Sequence, residues 1–286
     1  METFESLRGT LLALAYHMLG ELAAAEDIVQ EVWLKWQSTE KDKIKSPKAW
    51  LKKVTSNLCL DELSSARSRR EHYVGPWLPE PVVQFNEGDP LHQSELAGQC
   101  ELALLYAMER LTPEERCAYI LRQVFDTDYS ELAKLLNKTE TAIRKMVSRS
   151  KKKVLGQDAP ESNKNADVAS MLVRFLQACQ SQDHNKIMAL MAEDVVSVSD
   201  GGGKVRAALR CLNGADEVSK VWLATTNKYQ GEAQLDWVRL NSLPGVAITS
   251  QNREKSLMTL RLDANGLISW IYLLRNPDKM RGVFQH

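Results

Sequence analysis

Between Asn137 and Lys153 the chain carries seven cations, Lys138, Arg144, Lys145, Arg149, Lys151, Lys152 and Lys153, against Glu140 alone. On a helix, Thr141, Arg144, Lys145, Ser148 and Arg149 share the face opposite Ala142, Ile143, Met146 and Val147, and Lys151 and Lys152 extend the basic run. Short hydrogen-bonding side chains near a helix start can meet base edges, and Lys or Arg beside them can meet phosphates. The chemistry on offer is therefore recognition of duplex DNA. On charge alone a solvated basic helix would look the same, so the residues in front of it matter. Asp128 is placed to cap a helix with Glu131 as its third residue, and Leu132, Ala133, Leu135 and Leu136 make its apolar face. Asn137 suits the left-handed turn that would end it, and Thr139 is placed to cap the basic helix. The segment Asp128 to Lys153 reads as a helix-turn-helix.

A second basic block lies upstream. The chain of 286 residues has 37 acidic and 37 basic side chains, and its zero net charge conceals segregation. Residues 41 to 70 hold nine basic and three acidic residues, 73 to 115 hold one and eight, and 116 to 155 hold ten and four. Two basic surfaces separated by an acidic connector fit two separate contacts with nucleic acid.

Length and a hydrophobic content of 44% set a prior of two or three domains with ordinary cores. The five cysteines are scattered and never in C-x-x-C spacing, which argues for small buried hydrophobes in a reducing compartment and against a disulfide framework or a metal site. The apolar N-terminal stretch has acids before it and no cleavage signal after it, so it reads as a core helix of a cytoplasmic protein.

Helical stripes predict a first domain over residues 1–72. Phe4, Leu7, Leu11, Leu14, Ala15 and Met18 form one, Ile28, Val29, Val32, Trp33 and Trp36 a second, and a third starts at Ser46 and Pro47. Residues 73–95 contain Pro76, Pro79, Pro81 and Pro90, a density that prevents helix. Trp77, Leu78, Val82, Val83 and Phe85 are too apolar for a freely solvated linker, so this linker is expected to dock on something. A second helical domain covers 96–155, with Thr112, Pro113 and Glu115 as a capping signature, and 156–167 is a polar linker. From 168 to 286 helices at Val168 to Gln180 and Ile187 to Met191 precede strands at Asp194 to Asp200, Gln234 to Leu240, Gly245 to Thr249, Ser256 to Leu262 and Leu267 to Leu274, with Asn-Ser-Leu-Pro-Gly and Asp-Ala-Asn-Gly as turns. That order predicts an α+β domain whose curved sheet leaves a cavity.

AEDIVQEVWLKW (Ala25 to Trp36), SPKAWLKKVTSNLCLDELSSARSRR (Ser46 to Arg70) and the helix-turn-helix resemble regions 2 and 4 of extracytoplasmic-function sigma factors of the sigma-70 family, which recognise promoters for RNA polymerase. YVGPWLPEP (Tyr73 to Pro81), DGGGKV (Asp200 to Val205) and RNPDKM (Arg275 to Met280) resemble the subgroup with a C-terminal SnoaL-like extension, a cone-shaped α+β barrel. The resemblance implies core RNA polymerase and promoter DNA as partners. It implies core binding by Glu26, Asp27, Gln30, Val32 and Trp33, and minus-10 recognition and melting by Lys52, Lys53, Asn57, Arg67, Arg69 and Arg70. Minus-35 reading would fall to Thr139, Thr141, Arg144, Lys145, Ser148, Arg149, Lys151 and Lys152. Trp50 is expected in the core rather than stacked on a base. The extension is expected to regulate by an intramolecular contact of Trp77, Pro79, Glu80 and Pro81 with Asp200, Gly201, Gly202, Gly203 and Lys204. The glycines could equally make a hairpin turn. No cofactor, metal or membrane contact is implied, and the cavity could hold a small-molecule ligand.

SnoaL-like domains include cyclases and resemble isomerases, which use a carboxylate in an apolar cavity. Asp200, Asp236 and His184 are the conceivable acid–base groups, with no evident pairing among them, so the expectation is a regulator and not an enzyme. Two alternatives remain: a ligand-responsive helix-turn-helix regulator, and a DNA-binding module fused to a cyclase- or isomerase-like enzyme.

Overall fold

A computed structural model describes residues 4–70, 72–85, 101–155, 165–228, 233–280 and 283. The chain divides into two compact units, one holding Met1–Glu71 with Pro90–Ala159 and the other His72–Asp89 with Pro160–His286. This division differs from the expected one. The two helical segments share one unit, and the linker folds with the C-terminal domain.

In the first unit, α1 (Phe4–Leu19) and α2 (Leu22–Ser38) are separated by Gly20, whose φ of 73° lies in the left-handed region that glycine adopts without strain. The long α3 (Pro47–Arg70) opens with Ser46 accepting a hydrogen bond from the Ala49 amide. Leu11, Leu14, Tyr16, Met18 and Leu51 are among its fully buried side chains. The second helical segment has α4 (Leu102–Met108), α5 (Pro113–Gln123), α6 (Tyr129–Leu135) and α7 (Glu140–Leu155). The Thr112 hydroxyl accepts from the Glu115 amide while Glu115 accepts from the Thr112 amide, the reciprocal cap foreseen for α5. Arg116 on α5, only 2% exposed, donates from Nε and one terminal nitrogen to the His17 carbonyl of α1 at 3.3 Å and pairs with Glu109. A buried guanidinium satisfied on both sides binds α1 and α5 into one body.

The second unit is a seven-stranded sheet in the order β1-β4-β5-β6-β7-β2-β3. Its strands are β1 (Val83–Gln84), β2 (Met191–Asp200), β3 (Leu212–Asn213), β4 (Gln234–Leu240), β5 (Leu243–Thr249), β6 (Lys255–Leu262) and β7 (Ile268–Leu274). Its helices are α8 (Asn165–Gln180), the short α9 (His184–Met188) and α10 (Ala215–Lys228). Neighbouring strands are antiparallel except β2 and β7, which run parallel. Phe175 of α8 meets Trp222 of α10 edge-on at 5.2 Å over a core that includes Val246, Met258, Leu260 and Ile271.

Several local expectations change. The helix expected over Ile187 to Met191 spans His184–Met188, and Met191 opens β2. The β4–β5 turn is only Asn241 and Ser242, with φ of 47° and 69°, so Leu243, Pro244 and Gly245 belong to β5 and pair with β4. The Asp263 to Gly266 turn forms as expected, its Asp263 carboxylate accepting from the amides of Asn265 and Leu267. Helix α10 was not foreseen, because its buried stripe narrows to residues such as Val218 and Trp222 among Thr and Val that favour strands.

Candidate functional site

The helix-turn-helix consists of α6, a turn at Asn137 with φ of 52°, and α7. The Thr139 hydroxyl accepts from the Ala142 amide at 3.2 Å and starts α7. Asp128 stands at the N-cap of α6 but its side chain makes no capping hydrogen bond. Ile143 and Val147 are buried, which turns the opposite face outward. Thr139, Thr141, Arg144, Lys145, Ser148, Arg149, Lys151 and Lys152 are all exposed on it. Arg144 lies 4.1 Å from the ring centre of Tyr129 and 3.6 Å from Glu140, so its planar cation is held over an aromatic face. Sequence reasoning passed over Tyr129, whose place directly after the α6 N-cap was the available signal. Lys153 and Lys138 are not part of this open face. Lys153 donates to both oxygens of Glu115 at 2.8 and 2.9 Å, and Lys138 lies 3.1 Å from Glu114. Burial pushes the Glu115 carboxyl up, but the bonds from Lys153 and the Thr112 amide outweigh it and hold it below its ordinary value.

On α3, Lys53 and Asn57 are exposed, while Lys52 is half-buried with its ammonium 5.7 Å from the ring centre of Phe125. Burial lowers the Lys52 pKa and the neighbouring Lys48 lowers it further. In this arrangement the half-buried Lys52 ammonium lies over a protein ring. Arg67, Arg69 and Arg70 belong to the last turns of α3, and their side chains lie outside the described residues. Trp50 is partly buried and packs against Trp36 at 5.6 Å between ring centres. On α2, Glu26, Asp27 and Gln30 are exposed and Trp33 is partly covered by Phe4 at 4.8 Å. Val32 is fully buried, so it supports the helix from the core and is not available to a partner.

The third constellation joins the linker to the C-terminal fold. Asp200, at the end of β2, is completely buried. Its carboxylate accepts from the Tyr73 hydroxyl at 2.5 Å, the Leu78 amide at 2.9 Å, the Gly202 amide at 3.0 Å and Lys279 Nζ at 2.8 Å. Lys279 also donates to the Leu78 carbonyl at 2.5 Å and sits 4.0 Å from the Trp77 ring centre. Asn276 donates to the Tyr73 hydroxyl at 2.8 Å. Pro79 and Pro81 are buried, and Val82 exchanges two 3.0 Å hydrogen bonds with Asn241 before β1 joins β4 as an edge strand. Gly201, Gly202 and Gly203 are not a tight hairpin. A Cβ on Gly202 would stand 2.3 Å from Asn276, and one on Gly203 3.1 Å from Val74 of the linker. Lys204 pairs with Asp278 and so braces the same corner from outside. Glu80 is half-buried on the docked segment. The polar anchors at this corner are Tyr73, the Leu78 main chain, Asn276 and Lys279. The motif RNPDKM held two of them in plain view.

None of the three acid–base candidates faces the cavity in this unit. Asp200 is used by the linker, His184 lies 2.8 Å from the Ser219 hydroxyl, and Asp236 bonds to Gln234. Among the described residues no cluster of His, Cys, Asp and Glu could hold a metal, and no helix is long and apolar enough to cross a membrane.

Residues 3–69 match the family described as Sigma-70 region 2, and residues 101–154 match Sigma-70, region 4. The chain is 36% identical to the ECF RNA polymerase sigma factor SigJ of Mycobacterium tuberculosis, over 98% of this chain and 92% of that one. It is 28% identical to a probable ECF RNA polymerase sigma factor, SigI, of the same organism, over 68% and 67%. The crystal structure of the M. tuberculosis extracytoplasmic function sigma factor SigJ superimposes with a TM-score of 0.81 at 30% identity, covering 99% of both chains. With both DNA-reading regions in order and a fused C-terminal domain shared along the full length, the chain belongs to the extracytoplasmic-function sigma factors of the sigma-70 family, which direct RNA polymerase to promoters.

Proposed function

We propose that α7 reads the minus-35 element as duplex DNA, that α3 engages the opened minus-10 strand, and that the C-terminal domain sets how well they do so by holding the linker. The observation that carries the first part is the exposed face from Thr139 to Lys152 behind a buried Ile143 and Val147. Arg144 and Lys145 are the base-edge candidates, and Arg149, Lys151 and Lys152 the phosphate ones. On α3, Lys53 and Asn57 are accessible, and Lys52 joins them once it leaves Phe125. Glu26, Asp27 and Gln30, beside a half-covered Trp33, form the surface for core polymerase.

The regulatory part rests on Asp200. A buried carboxylate that takes up the linker through a side-chain hydroxyl and a main-chain amide fixes the segment between the two DNA-reading regions. We read the C-terminal domain as a regulator without catalysis of its own. Full-length chain with core polymerase on a promoter library should yield promoter-dependent transcripts, and a chain cut after Gly156 should differ strongly in yield. Equal transcription from both, and from Trp77 and Leu78 substitutions, would sink the regulatory reading.

A further inference from the structure

The α+β unit holds a partly open cavity of about 560 Å³, within the size range of small-molecule sites. We propose that it binds an uncharged, mainly apolar small molecule bearing one or two hydrogen-bonding groups, and that the linker senses its occupancy through residues Leu273 to Asn276. The inference rests on the regulatory reading of this domain and adds the signal it responds to.

The lining dictates the ligand class. Leu176, Trp222, Leu235, Ile248 and Leu273 supply the apolar wall. Gln180, Thr225 and Ser256 add hydroxyl and amide groups that can orient a polar end. Among the described lining residues the charged members, Glu254 and Arg275, are paired at 2.5 Å and their charges cancel. An anion would meet Glu254 and a cation Arg275, each at the cost of desolvation without a new partner. A neutral molecule meets neither penalty. Asp200, Asp236 and His184 lie outside this lining.

The route to the linker follows from strand geometry. Side chains alternate along an extended chain. Leu273 and Arg275 line the cavity, while Leu274 pairs with Asp200 across β2 and Asn276 donates to Tyr73. The Arg275 and Asn276 amides both donate to the Asp200 carbonyl, at 2.8 and 2.9 Å. A shift of Arg275 on ligand binding therefore acts directly on the residue that holds Tyr73 and Leu78. Coupling of this kind is reciprocal, so loosening the linker must change ligand affinity by the same factor.

The test is a fluorescence titration of the full-length chain with N-phenyl-1-naphthylamine, an uncharged apolar probe, and with 8-anilinonaphthalene-1-sulfonate, its anionic relative. Saturable binding of one neutral probe per chain is expected, at least tenfold tighter than the anion. Thr225→Trp and Leu235→Trp, each filling the cavity from one side, should weaken it tenfold or more. Tyr73→Phe or Trp77→Leu, remote from the probe, should shift its affinity threefold or more. The proposal is overturned by absence of saturable binding, by equal affinity for the anion, by binding intact in both filled variants, or by affinity unmoved in both linker variants. No polymerase or promoter enters the titration, so its failure is distinct from a failure of linker control, which transcription with the Gly156 truncation measures.

Discussion

Lys279 Nζ lies 2.8 Å from Asp200 Oδ2 with the two side chains 9% and 0% exposed, and the linker between the DNA-reading regions is bound to both of them. Removing one partner of such a pair leaves a buried charge uncompensated. Asp200→Ala should lower the stability of the α+β unit by about 3–5 kcal/mol, read from urea unfolding of the full chain. Removing both charges in Asp200→Leu with Lys279→Met should cost less than the two single changes combined.

Docking should also shield the linker from proteases. Leu78 and Val82 are buried against the C-terminal fold, so a chain ending near Gly156 leaves them without cover. Limited proteolysis should cut residues 72–85 at least tenfold faster in the truncated chain, and mass spectrometry of the fragments locates the cut. Equal rates would show that the linker is protected by something other than this domain.

DNA binding should separate the cations of α7 by role. Arg144→Ala should alter preference among bases, and Tyr129→Leu should reproduce part of that change because the ring positions the guanidinium. Replacing Lys151 and Lys152 should weaken all sequences alike and flatten the salt dependence by about 0.9 in slope per lost phosphate contact. Lys153→Ala should leave that slope unchanged, since its charge is engaged by Glu115.

Acid should loosen the α5 cap. The Glu115 carboxyl is held below its ordinary value of 4.5, so the folded state binds fewer protons there than the unfolded one. Its contribution is present above pH 4.5 and lost as pH falls through the lower folded value. Urea midpoints measured from pH 6 to 3 should fall less steeply in Glu115→Gln than in the parent chain.

Thiol reactivity should follow burial. Burial pushes Cys117 and Cys179 up to about 12 and drives Cys59 upward too, leaving little thiolate at neutral pH. Among the described cysteines, half-exposed Cys211 should be alkylated first by iodoacetamide at pH 8, with the other three modified only on unfolding.

Much of this protein is legible in local chemistry. The Thr112 and Thr139 caps, the left-handed Asn137 and the strand Gln234 to Leu240 depend on residues within a few positions of one another, so spacing suffices to find them. The basic face of α7 follows from its apolar stripe alone. The positions that misled were those whose role depends on a distant partner. Lys153 looks like one more phosphate cation until Glu115, 38 residues earlier, takes it up.

By itself the sequence determined two helical DNA-reading segments, an α+β extension, and a connector too apolar to stand in water. Only the tertiary structure decided where that connector goes and what holds it. Its anchor is one carboxylate meeting groups 122 and 79 residues away, and no local periodicity encodes such a meeting. It exists because an aspartate buried by folding must find donors for its oxygens, and the folded chain brings Tyr73, Leu78, Gly202 and Lys279 to that one place.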